Sequence, residues 1–240
     1  MRIIEANCVF GRWPHGDRDA SLDRLLAALA ELGVSRALAV SLRGIYYSHE
    51  EGNAETLRTC TGSGMLVPVA TVCVPAYGDA DSLPRRLVGE GFRMLRLFPD
   101  LQGWSTTNIL VERLLGECAE AGLPVAVSVV KQEGVASALA RLAPRECRVI
   151  LSDVYYNTLA ECAEALSRRG EFLMEVGRTS MPYSLEFLAR RVGAERLVLG
   201  TRQPLEIGRG AIEMVRDAEL PDGAKAAILG GNLSGLLGGI

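Results

Sequence analysis

The stretch E-R-L-V-L-G-T-R-Q-P-L-E, Glu195 to Glu206, decides how the rest of the chain is read. It joins a short apolar run, Leu197 to Leu199, to a glycine, a polar cluster and Pro204, which is how a buried parallel strand ends when its tip faces a site. The same pattern recurs outward from it. Apolar runs at Arg2–Val9, Arg36–Leu42, Leu66–Val72, Phe92–Phe98, Pro124–Val129, Cys147–Asp153, Glu171–Val176 and Arg196–Gly200 read as eight strands. Each is apolar almost throughout, as a strand covered on both faces must be.

Helical stretches lie between these runs. Ser21 to Leu32 repeats Leu22, Leu25, Leu26, Leu29 and Leu32 on one face and stops at Gly33. A second runs from Thr106 or Thr107 to Ala121 and stops at Gly122, and Thr158–Arg168, Ser184–Arg191 and Glu206–Val215 follow, with Gly170, Gly193 and Pro221 as breakers. The glycine-rich tail from Gly230 is expected to pack as a last short helix. No linker or composition shift marks a second domain, so residues 1–240 read as one. Eight βα units in a chain near the ~250 residues usual for a closed barrel predict an α/β fold, a single (β/α)8 TIM barrel. The rival is a doubly wound open sheet. No G-x-G-x-x-G or G-K-[ST] loop follows the first strand to support it.

Composition narrows the function. Lys plus Arg (26) nearly balances Asp plus Glu (29), for a net charge of −3, so nucleic acid and anionic membrane are not expected partners. A small molecule is. M-R-I-I-E-A-N-C-V-F at the start reads as a strand and not a signal peptide. Six cysteines without a C-x-x-C spacing fit reduced thiols, and the expected location is cytoplasmic.

In a barrel, function sits at the C-terminal strand ends. By the two-residue period these ends offer Glu5, Asn7 and Val9 on strand one, Arg96 on strand four and Ser128 on strand five. Asp153, Glu175 and the pair Thr201 and Arg202 end strands six, seven and eight. Cys8 alternates outward and reads as core. His15 and His49 are the two histidines, and His15, in the loop Gly11-Arg12-Trp13-Pro14-His15, is the candidate general base nearest the mouth. Trp13, Tyr46, Tyr47, Trp104, Tyr155 and Tyr156 fall after strands one, two, four and six, where they could line or lid a pocket.

Several words of the sequence carry a family resemblance: Ile4-Glu5-Ala6-Asn7-Cys8-Val9, Gly52-Asn53, Gly91 to Leu97, Gly122-Leu123-Pro124-Val125-Ala126-Val127-Ser128, Val149 to Asp153, Gly200-Thr201-Arg202-Gln203-Pro204 and Gly231-Asn232-Leu233. Over nearly the whole chain this resembles the amidohydrolase superfamily, in its amidohydrolase-related branch of metal-dependent hydrolases and decarboxylases acting on lactones and small carboxylates. That branch looks like I-D-x-H-x-H on strand one, histidines ending strands five and six, and G-S-D-x-P on strand eight. Here the corresponding residues are Asn7 and Val9, Ser128, Asp153 and Arg202. The resemblance therefore implies a degenerate active site without the family's metal.

Two arginines, Arg96 and Arg202, at such a mouth suit a small carboxylate or phosphate. The expected ligand-binding set is Asn7, Arg96, Ser128, Glu175 and Arg202, with His15, Asp153 and Arg202 as catalytic candidates and no cofactor or metal. Arg202 beside Asp153 or Glu175 would replace the charge of the missing dication. Three alternatives stay open: a salt-bridged plug without catalysis, a working hydrolase or lyase, and a scaffold. The working enzyme would use a rebuilt metal site of Asp153, Glu175 and Asn7, or metal-free chemistry through His15 and Arg202. The scaffold would be a homo-oligomer or pair with an active paralogue.

Overall fold

Eight parallel strands in sequence order form the centre of the protein, seen in a computed structural model that describes residues 1–77, 82–130, 133–179 and 181–240. They are β1 (Ile3–Phe10), β2 (Val34–Ser41), β3 (Leu66–Thr71), β4 (Met94–Leu97), β5 (Val125–Ser128), β6 (Val149–Ser152), β7 (Phe172–Glu175) and β8 (Leu197–Val198). Each pairs in parallel with the next. The ends meet: the Ala6 N–H donates to Leu199 O at 3.0 Å, the Val9 N–H donates to Gln203 O at 2.9 Å, and Cys8 bridges Gln203. The sheet is thus a (β/α)8 barrel, and the open-sheet alternative is excluded.

Alternation along the strands builds two apolar layers. Leu38, Val67, Val69, Met94, Ala126, Ile150 and Val198 fill the barrel interior. Leu95, Leu97, Val125, Val127, Val149 and Leu151 face the helices and pack with Leu25, Leu29, Leu114 and Leu115. Above the interior layer, the next inward positions are Arg96 and Ser128, both buried. Strand β1 departs from the strict alternation expected of it. Ile4 and Ala6 join the interior cluster together with Val9, because the β1–β2 register shifts between Glu5 and Cys8.

Helix starts follow the local chemistry. Ser21 caps the helix Leu22–Glu31, its hydroxyl accepting from the Arg24 N–H at 3.2 Å, and Asn108 caps Ile109–Ala121. Gly122 ends the latter in the left-handed region at φ 65°. Where the second strand was expected to reach Leu42, a short helix Leu42–Tyr46 begins instead, capped by Ser41. The tail forms three consecutive helical pieces, Asp222–Ala226, Ala227–Gly231 and Asn232–Leu236, and not one, and Leu233 and Leu237 join the barrel interior. All six cysteines are free, and no described helix is long and apolar enough to cross a membrane.

Candidate functional site

Two strand tips carry a backbone that ordinary residues avoid. Asp153 (φ 56°) follows β6 and Arg202 (φ 58°) lies beyond β8, both left-handed without being glycine, a conformation costing about 1 kcal/mol or more and held by its surroundings. Gly200 is needed for a different reason. A Cβ there would lie 2.3 Å from the Glu175 carboxyl carbon, so only glycine leaves room for that side chain.

Glu5, Asn7, Arg96, Ser128, Asp153 and Glu175 are all buried at this end. Asn7 is at their centre: its amide nitrogen lies 3.1 Å from Asp153 Oδ1 and 2.9 and 3.0 Å from the two Glu175 oxygens. Arg96 completes the ring, donating from Nη1 to Asn7 Oδ1 and from Nη2 to Asp153 Oδ2 at 3.0 Å, with its guanidinium stacked on the Phe98 ring at 4.9 Å. Glu5 Oε1 accepts from the N–H groups of Asn7 (2.9 Å) and Thr201 (2.7 Å), and the Thr201 hydroxyl also favours its charged form, while Oε2 has no geometric hydrogen bond among the described residues.

The acids are pushed in opposite directions. Burial raises Glu5 to about 8, against the backbone N–H groups it accepts from. Burial, followed by the neighbouring Asp153 charge, raises Glu175 to about 7, against Arg96 and the Asn7 amide. For Asp153 burial also works upward, but Arg96, Arg202, the Ser128 hydroxyl and Arg178 together overcome it and bring the group down to about 2. At neutral pH the firmly ionised acid of the network is therefore Asp153.

The cation beside Asp153 is not the expected one. Arg202 acts on Asp153 through space and makes no ion pair within 4 Å among the described residues. Arg96 makes the close pair, and Arg178 the second, with Nη1 3.6 Å from Asp153 Oδ1. Arg96 and Arg178 thus approach Asp153 more closely than Arg202, whose charge nevertheless lowers Asp153 more than that of Arg178 does. Arg178 was not among the sequence candidates, because it follows the tip of β7 by three residues, in a loop where the two-residue period no longer applies. It is mostly buried, lies over the Tyr155 ring at 4.2 Å, donates from Nη2 to Glu206 at 3.2 Å, and its Nη1 has no hydrogen-bond acceptor among the described residues.

His15 is exposed and belongs to a ring cluster with Trp13 (5.7 Å) and Tyr46 (5.4 Å), without a hydrogen bond to Asp153 or Arg202 among the described residues. Of the other aromatics, Trp104 is buried and donates to Gln102, while Tyr47 and Tyr156 are exposed. Clefts open beside the mouth, over the loop after β1: one of about 490 Å³ includes Arg12, Arg43, Tyr47 and Glu51, and one of about 960 Å³ includes Arg12, Trp13, Arg18 and Tyr47.

A metal does not fit the residues present. Among the described residues no group of three or more His, Cys, Asp or Glu is arranged to hold one. The oxygens that would ligate it, on Asp153 and Glu175, face N–H donors of Asn7 and Arg96. A ligand set needs lone pairs converging on the ion, and here hydrogens converge instead.

A family model described as amidohydrolase matches residues 12–232. No curated protein matches the chain. Solved structures that resemble it include 2,6-dihydroxybenzoate decarboxylase from Rhizobium (TM-score 0.77, 11% identity, covering 99% of this chain and 98% of that one). Another is 5-carboxyvanillate decarboxylase from Sphingomonas paucimobilis (0.73, 13%, covering 100% and 99%). A third is amidohydrolase 2 from Bifidobacterium longum subsp. infantis (0.70, 14%, covering 99% of each). At such identities the likeness is one of fold.

Proposed function

The chain belongs to the amidohydrolase family, and from that premise we propose that its mouth binds a small carboxylate or phosphate anion without the family's metal. One observation carries this reading: Arg178 Nη1 is buried, 3.6 Å from Asp153 Oδ1, and has no hydrogen-bond acceptor among the described residues. A buried guanidinium nitrogen lacking an acceptor costs free energy that an arriving anion would recover. Charge agrees. Arg96, Arg178 and Arg202 surround Asp153, while Glu5 and Glu175 are pushed toward the protonated form. The relatives named for carboxylated aromatic substrates support a carboxylate in particular.

In this reading Arg178 and Arg202 contact the anion, and Asn7, Arg96, Ser128 and Glu175 hold Asp153 in place beneath it. Calorimetric titration with citrate and with inorganic phosphate tests it. Saturable binding is expected, weakened about tenfold or more in Arg178→Ala, as loss of a charge-assisted hydrogen bond predicts. Binding of neither anion, or binding indifferent to both Arg178→Ala and Arg202→Ala, overturns it.

One observation favours a second reading, metal-free hydrolysis or decarboxylation: Glu175, raised to about 7, is poised for proton transfer at neutral pH. Turnover of a lactone or small carboxylate that titrates near this value and is abolished by Glu175→Gln would install that reading in place of pure binding. His15→Ala tests whether the ring cluster takes part.

A further inference from the structure

Away from the mouth, one helix face on the outer wall of the barrel is left bare. Helix Ser184–Val192 buries Ser184, Leu185, Leu188 and Val192, which by the 3.6-residue period leaves Tyr183, Glu186, Phe187 and Arg190 on its opposite side. Tyr183 is 70% exposed and Phe187 45%. Two large rings one turn apart make an apolar stripe, and aromatic rings gain free energy by leaving water. Tyr183 also takes the left-handed conformation, φ 58°, which costs a residue with a Cβ about 1 kcal/mol or more. Within this chain its ring has no compensating burial.

The charges on the same face are open as well. Glu followed by Arg four residues later is the favoured helical pair, and Glu164 and Arg168 on the neighbouring helix Leu159–Arg168 close it at 2.9 Å. Glu186 and Arg190 have the same order and spacing but do not close. Glu186 Oε1 accepts from the Glu219 N–H at 2.8 Å instead, and Arg190 has no ion pair among the described residues. Asp217 and Glu219 line the groove beside Glu186, so the first half of the face is acidic and the second half basic. The helix dipole alone would favour that order of charge. It does not account for the aromatic stripe between the two ends.

A surface that is apolar in the middle, acidic at one end and basic at the other complements itself when turned end over end. We infer that a second copy of this chain docks here, two Ser184–Val192 helices lying antiparallel about a two-fold axis level with Leu188. Phe187 then meets Phe187 of the partner subunit, and Glu186 meets Arg190 of the partner subunit twice over, as an isologous contact requires. Burial of the rings drives association. The charges set its direction, since parallel docking would place like charge on like. Anion binding at the mouth plays no part in this contact.

Sedimentation equilibrium of the whole chain from about 1 to 100 µM tests it, with circular dichroism to confirm that each variant is folded. The wild type is expected to approach twice the 25.8 kDa mass of one chain. Glu186→Arg and Arg190→Glu should each weaken self-association at least about tenfold, because each sets like charges together at both contacts. An equimolar mixture of the two variants should recover the dimer, opposite charges then facing each other at both. Phe187→Ala should weaken it with the charges untouched. A wild type that keeps the mass of one chain throughout overturns the inference and leaves the face to a partner of another kind. A dimer indifferent to Phe187→Ala and Arg190→Glu overturns it too, as does a mixture no more associated than its components. If Glu186→Arg fails to fold for want of the acceptor that holds the Glu219 N–H, Arg190→Glu and Phe187→Ala decide the outcome between them.

Discussion

In the barrel's framework Asn53 and Asn232 bond backbone, whereas at its mouth Asn7, Arg96, Asp153 and Glu175 bond one another. Asn53 accepts from the Thr71 N–H and donates to the Thr71 carbonyl, both at 2.9 Å, fixing the end of β3. Asn232 donates to the carbonyls of Ala194 (2.8 Å) and Leu197 (2.7 Å), tying the tail to the start of β8. Gly52 lets the helix His49–Thr61 touch Leu42–Tyr46, since a Cβ there would lie 2.1 Å from Gly44 N. At the mouth Asn7, Arg96, Asp153 and Glu175 satisfy each other instead. Residues that bond backbone shape the fold whatever the site does, while a network of side chains can be replaced as a set if its charges still balance.

The contrast makes unequal demands on stability. Arg96→Met strips the counter-ion from buried Asp153, and breaking a buried pair from one side costs about 3–5 kcal/mol. Asn53→Ala leaves two backbone groups without partners, a loss of about 1–3 kcal/mol, and should leave anion binding unchanged. Urea unfolding of both variants, beside citrate titration, measures the difference. A cheaper Arg96→Met than Asn53→Ala would reverse the comparison, and weakened citrate binding in Asn53→Ala would erase the separation between framework and mouth. Adding Asp153→Asn to Arg96→Met should recover part of the loss, since the stranded charge goes with it.

The framework was legible in the sequence because its signals are local. Apolar runs, caps such as Ser21 and stops such as Gly122 each act within a few residues, and eight of them in succession leave little choice of fold. The mouth was legible only in its members. Asn7, Arg96, Ser128, Asp153 and Glu175 were recognisable as strand-tip residues and do come together. Which cation would meet Asp153 was not, because that depends on how far each guanidinium reaches across the barrel. Arg202, beyond β8, was the choice suggested by the family resemblance, yet it acts on Asp153 from a distance, while Arg178 approaches from a loop without periodicity. The pair Gly177-Arg178 directly beyond an acidic strand tip was the available signal. A Cβ on Gly177 would meet Gly200 O at 1.7 Å, so the loop there must hug β8 and deliver the next side chain over the mouth.

The most diagnostic effect is one of pH, because the mouth alone should give stability an unusual dependence on it. Asp153 is depressed to about 2 in the folded protein, so its contribution is complete above the unfolded value of 3.8 and is lost as pH falls toward 2. Glu175 and Glu5 have the opposite sign. They release protons near 4.5 when unfolded but near 7 and 8 when folded, so between those limits the folded state holds more protons and stability falls as pH rises. The unfolding free energy should therefore decline from pH 5 to pH 8 by several kcal/mol, each tenfold change in proton affinity being worth about 1.4 kcal/mol. Glu175→Gln should make the decline shallower up to about pH 7, and Glu5→Gln should make it shallower throughout and remove the part between about pH 7 and pH 8, whereas Asn53→Ala should lower the whole curve without changing its slope. A wild-type curve that is level or climbs between pH 5 and pH 8 would mean the buried acids are ionised as readily as exposed ones, and the mouth would then be no different electrostatically from the framework beneath it.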